Sequence, residues 1–132
     1  MSDLVWWIPP DQQVDIETFG EYWMPYYKAQ TVPFVAKSLI HTGEFMVEVS
    51  TVFLSVDHAP GDWGPVLWES MTFGGPLDHD QTRHYSPEGA SAGHVEMLRE
   101  NWIALDLDGT PELVTVTYHG KWWRDPGRTG RS

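Results

Sequence analysis

Three places in the middle of the chain carry residue types suited to acid–base or metal chemistry: the Asp57-His58 pair, Glu69 and His94. An imidazole titrates near neutrality, so it can act as a general base or as a metal ligand. Asp57-His58 falls where a strand pattern ends, at the kind of loop junction where sites are usually built. The plainer reading is that Asp57 caps the following turn and His58 faces water. Glu69 shares strand parity with Leu67 and Met71. If that side faces the core, its carboxylate must be paired, hydrogen-bonded or functional, because an isolated buried charge is costly and its pKa rises. If the parity is reversed, Val66 and Trp68 go inside and Glu69 meets water. Both registers are open. His94 lies on the inner stripe of an expected helix, where a lone histidine is more often a satisfied core residue than a ligand. Converging in space, His58, Glu69 and His94 would make a divalent-metal set. Asp78, His79, Asp80 and His84 form a second dense group, but acids in a polar loop are usually just solvated.

Spacing adds little to these residue types. The chain has no HExxH, no pair of histidines on one helix face and no His-x-His. It also lacks a P-loop, a GxGxxG and a GxSxG. Gly74-Gly75 reads as a turn. Nothing resembles a zinc knuckle or a basic recognition helix.

The elements that must position these residues can be read from hydrophobic period. Leu4 to Ile8 is a short strand closed by Pro9-Pro10 and suited to an edge, since proline cannot donate to a ladder. Asp11 or Asp15 offers a helix N-cap, and Ile16 to Trp23 has helical spacing of aromatics. Pro25 disfavours the α region at Met24, which predicts a helix of about two turns. Its aromatic cluster could be a ligand platform, although packing on the sheet is the commoner use of such a face. Pro33 to His41 and the run from Phe45 predict a hairpin around Thr42-Gly43-Glu44. Apolar parity shifts after Ser50-Thr51, which calls for a β-bulge there or for a strand buried on both sides. Val66 to Phe73 is a further strand, Leu77 to Tyr85 a polar loop, and Ser86-Pro87-Glu88 a helix start leading to about Trp102. Leu105 to Leu107 and Leu113 to Tyr118 read as two last strands. Hairpin-length links predict an α+β fold: a mainly antiparallel sheet of about five to six strands with two helices on one face. One domain over residues 1–120 and a flexible tail over 121–132 complete the expectation.

Composition narrows the function classes. A chain of 132 residues suits a single domain with a real core. The absence of cysteine excludes disulfides, thiolate metal sites and a cysteine nucleophile. No apolar run approaches the roughly 20 residues that span a bilayer, and the N-terminus lacks the basic region of a signal peptide. A soluble cytosolic protein is the expectation. The net charge of −11 argues against direct nucleic-acid binding and against a small anionic ligand. It serves solubility, or it forms an acidic face that occupies a basic site on a partner. Eight tryptophans hint at a binding face. Trp63, Trp68, Gly74 and Gly75 are the candidate binding residues, and no cofactor or metal is expected.

Three stretches carry a family resemblance: VSTVFLSVDH (49–58), GPVLWESMTFGG (64–75) and HYSPEGASAGHVEML (84–98). They resemble small proteins encoded by actinobacteriophages and related prophages, in which a strand ending in Asp-His precedes a strand closing on Gly-Gly and a helix with Ala-Gly-His. Ser70 and Thr72 depart slightly from that pattern. The resemblance implies a phage product acting in the cytoplasm of a bacterial host, without an assigned activity. It joins Asp57, His58, Glu69, Gly74, Gly75 and His94 in one motif set. The leading expectation is a non-catalytic accessory protein that binds a host or phage protein in host takeover or defence evasion. A small metal-dependent hydrolase using His58, Glu69 and His94, and a minor virion component, are the alternatives.

Overall fold

A computed structural model of the chain describes residues 6–9, 12–29, 33–41, 46–54, 66–108, 116–120 and 123–124. The elements run β1 (Trp6–Ile8), β2 (Gln12–Val14), α1 (Ile16–Lys28), β3 (Phe34–His41), β4 (Met46–Phe53), β5 (Trp68–Phe73), β6 (Gln81–His84), α2 (Pro87–Asp108) and β7 (Val116–His119). Five strands form an antiparallel sheet in the order β6-β5-β4-β3-β7, and β1 pairs with β2 as a separate ribbon. The long helix α2 lies across one face of the sheet, against β3, β4, β5 and β6. The α1 helix packs beside β1 and reaches the main core through Tyr22, whose ring meets Phe53 edge-on. The fold is α+β, as the short links predict.

Strand β4 lies at the centre of the sheet. Its residues Val47, Val49, Thr51 and Phe53 are all buried and share one parity, so they line the helix-covered face. The pairing with β5 runs without interruption from Glu48 opposite Phe73 to Phe53 opposite Trp68. No bulge occurs at Ser50-Thr51. The irregularity lies on the partner strand instead, where β3 gains a residue between Phe34 and Ala36. The apparent parity shift arises because Thr51, a polar residue, occupies an inward position among valines. Two apolar clusters flank this polar middle. One joins Val35, Phe53, Leu67, Trp68 and Ala90; the other joins Ile40, Val47 and Leu105.

Several elements differ from expectation for identifiable reasons. The α1 helix continues past Pro25 to Lys28. Proline forfeits one helical donor, but the last turn closes with Ala29 N–H donating to the Pro25 carbonyl at 3.0 Å. Rings of Trp23 and Tyr22 both meet Tyr26 across the proline position. The polar loop expected over 77–85 contains β6, an edge strand whose Gln81, Thr82 and Arg83 are exposed, so no apolar alternation marks it. The run at Leu105 belongs to α2 rather than to a strand. Leu98, Trp102 and Leu105 continue the helical stripe at i, i+4 and i+7 onto the second cluster. The α2 N-terminus is the expected one: Ser86 caps it, accepting from Gly89 N–H at 2.9 Å. Of the tail expected over 121–132, only Trp123 and Arg124 are among the described residues. Trp123 packs on the first core cluster, and Arg124 N–H donates to Ser91 Oγ at 2.8 Å.

Candidate functional site

The helix-covered face of the sheet carries a row of hydroxyls where most sheets carry aliphatics. Ser38 on β3, Thr51 on β4 and Ser70 on β5 are all buried. Two histidines connect them: His94 from α2 and His84 from the end of β6. Ser38 Oγ lies 2.9 Å from His94 Nε2, and His94 Nδ1 lies 2.8 Å from Thr51 Oγ1. Thr51 Oγ1 lies 2.6 Å from Ser70 Oγ, which lies 2.9 Å from His84 Nε2. The result is one continuous hydrogen-bonded chain across three strands, with an imidazole set into it and another at its end.

Local structure makes this possible. Thr51 and Ser70 are directly opposite one another on β4 and β5, which brings their hydroxyls together. His84 fits because the facing position on α2 is Gly93; a Cβ there would stand 2.1 Å from His84 Cε1. Trp123 covers His94 edge-on, with ring centroids 5.9 Å apart. Farther along α2, Asn101 Nδ2 donates to Thr72 Oγ1 at 2.9 Å and to the Met97 carbonyl at 3.0 Å.

Burial pushes the pKa of His84 down, and the nearby Glu69 carboxylate opposes this only in part. A singly protonated imidazole donates at one nitrogen and accepts at the other. Each hydroxyl likewise gives one proton and takes another. The whole row can therefore be satisfied in a single head-to-tail order. Such a fully paired buried network favours one sheet–helix register, since any slip would strand several polar groups. Both ring nitrogens of His94 are engaged and the residue is fully buried, which leaves no access for substrate.

The residues singled out from sequence divide between different places. Asp57, His58 and Trp63 lie outside the described residues. Glu69 takes the outward parity: its neighbours Trp68 and Ser70 face α2, while its carboxylate accepts from Arg83 Nε at 3.2 Å on the far side of the sheet. Glu69 and His94 thus sit on opposite faces, and the proposed set of His58, Glu69 and His94 cannot close around one ion. Among the described residues, no group of three acidic or imidazole side chains is placed to hold a metal. Trp68 is fully buried and packs edge-on against Phe53, so it is a core residue rather than a binding one. Gly74 and Gly75 serve the turn after β5. Both adopt positive φ, +87° and +74°, and a Cβ on Gly74 would meet the Met46 carbonyl oxygen at 2.5 Å. Asp78 braces that turn by accepting from Gly74 N–H at 2.7 Å. Asp78, His79 and Asp80 are exposed, whereas His84, from the same polar run, is drawn into the core.

The hydroxyl row was hidden because Ser38, Thr51 and Ser70 read as interruptions of an apolar pattern. Counting threonine and serine as admissible inward residues restores an unbroken alternation through β4 and β5, and that is the signal available in the sequence.

The surface offers a different candidate. The α1 helix buries none of its residues fully. One flank is anchored by a row of rings: Phe19 stacks on Trp6 with centroids 4.3 Å apart, and Trp23 continues the row. The adjoining flank is open, with Ile16 56%, Met24 46% and Tyr27 69% exposed. The aromatic cluster expected to pack on the sheet therefore does so through Tyr22, while much of its apolar arc faces outward. No protein-family profile matches the chain, and no curated protein or solved structure shows significant similarity to it.

Proposed function

We propose that this chain is a small phage-encoded accessory protein that works by binding another protein in the bacterial host, without catalysing a reaction. The phage origin rests on the resemblance over residues 49–98. The binding role rests on one observation: α1 presents large apolar side chains to solvent on a chain that carries a net charge of −11. Exposed apolar area concentrated on one element marks an interaction site more often than scattered single residues do. The histidine–hydroxyl chain ties α2 to the sheet instead of forming a site. Its groups are spent on one another, which accords with a structural part.

The test is capture from host lysate with the tagged full chain, compared with Ile16→Asp and Tyr27→Asp. Both substitutions are at exposed positions, so the fold should survive. A stoichiometric protein retained by the parent and lost by both variants supports the reading. Retention of nothing, or equal retention by all three, overturns it.

A further inference from the structure

The open flank of α1 carries enough detail to say what kind of partner it takes. This inference rests on the protein-binding reading and adds the contact surface and the partner's chemistry. At about 100° per residue, Ile16, Gly20, Met24 and Tyr27 fall within an arc of about 80°. They form one strip along the helix, with Gly20 in its middle. Three of the four are large, apolar and exposed.

Gly20 is the informative residue. Glycine inside a helix is less favourable than alanine, because it loses more backbone freedom on folding. Other glycines of the described residues have an internal reason. Gly93 makes room for His84, Gly74 and Gly75 adopt positive φ, and a Cβ on Gly120 would strike the Phe34 carbonyl oxygen. Among the described residues, a Cβ on Gly20 would meet nothing within 4 Å, and its φ is not positive. Among the described residues nothing calls for glycine there. Its missing side chain leaves a gap between Ile16 and Met24 that a group approaching the helix from outside can enter.

Charge indicates what approaches. Glu17 and Glu21 border the strip on the side away from the ring row, and both are exposed. Lys28 is the one base on that border, at the far end of the helix. With the net charge of −11 behind it, this border favours a cationic neighbour. We propose that α1 receives an amphipathic helical segment of a partner protein, apolar on one side and bordered by lysine or arginine, with its closest approach over Gly20. The apolar strip supplies contact area, the missing side chain allows close packing, and the acidic border sets orientation.

The probe is a synthetic amphipathic helix with leucines at i, i+3, i+4 and i+7 and lysines elsewhere. A version with glutamates in place of lysines and vesicles of anionic phosphatidylglycerol are the comparisons. Binding of each is measured by titration calorimetry to the parent and to Gly20→Leu. That variant should be more resistant to urea than the parent, because leucine is the better helix former and finds open space. It should nevertheless bind the lysine peptide about tenfold more weakly, the equivalent of about 1.4 kcal/mol. A gain in stability joined to a loss of binding is something a purely structural glycine cannot produce. Equal binding of the lysine peptide by both proteins would reduce the effect to bulk charge and overturn the inference. Binding of the glutamate peptide, or preference for vesicles, overturns it as well. If lysate capture succeeds but survives Gly20→Leu, the binding role stands and this surface does not.

Discussion

Gly93→Ala is the sharpest perturbation of the buried histidine–hydroxyl chain, because the structure gives opposing contributions of known sign. In the interior of α2, alanine in place of glycine should stabilise by about 1 kcal/mol from helix propensity alone. The new methyl, however, would stand 2.1 Å from His84 Cε1 and 2.8 Å from both ring nitrogens. The ring must move, and it is boxed in by burial and by its bond to Ser70 Oγ. Overpacking of this kind costs about 1–3 kcal/mol. Losing the bond leaves a buried hydroxyl or ring nitrogen unpaired, at a further 1–3 kcal/mol or so. The sum is a net loss of about 3 kcal/mol, read as a lower urea midpoint with unchanged slope. The decisive comparison repeats the substitution in His84→Ala. With the ring gone, the methyl has space, and Gly93→Ala should turn stabilising by about 1 kcal/mol. Such a reversal of sign depends on direct contact between the two residues. If Gly93→Ala is neutral in the parent, or equally harmful in both backgrounds, the packing of His84 against α2 is refuted.

Further expectations follow from the same geometry. Burial holds His84 below its ordinary value of 6.5, so the folded chain binds fewer protons there than the unfolded chain. Its contribution is complete above about pH 6.5 and declines as the pH falls through and below that value; urea midpoints from pH 8 to 5 should drop in the parent and drop less in His84→Gln. Asn101→Leu should cost about 1–3 kcal/mol, because it removes the donor to Thr72 Oγ1 and to the Met97 carbonyl. The double change with Thr72→Val should cost less than the sum of the single ones, and strict additivity in denaturation would contradict the contact. Trp68→Ala should remove about 3–5 kcal/mol, as expected for a fully buried indole against Phe53, with thermal unfolding as the measurement. Glu69→Gln should cost about 1 kcal/mol or less, since Arg83 is partly exposed on the outer face. A loss of several kcal/mol there would mean that the carboxylate is doing something the sheet register does not provide.

Local pattern determined much of the architecture. The Asp15 and Ser86 caps, the run of strands joined by short links and the proline at the start of α2 are each local signals. So is the Gly74-Gly75 turn, whose positive φ values are what paired glycines are suited to. Together they specify an antiparallel α+β chain with helix starts in the right places. Local pattern did not determine which polar residues turn inward. Thr51 and Ser70 become core residues because β4 and β5 set them opposite one another and α2 lowers His94 onto Thr51. His84, at the end of a strand whose other residues are polar and exposed, is buried because Gly93 of a distant helix leaves it a place. The face chosen by Glu69 was likewise a question of which neighbours Trp68 and Ser70 would meet. Hydrogen-bond satisfaction across elements is a property of the assembled layers, and one chain segment read by itself does not contain it. The same holds for α1, whose apolar arc is written in its residues, while only its docking through Tyr22 and Trp6 shows which part of that arc stays open.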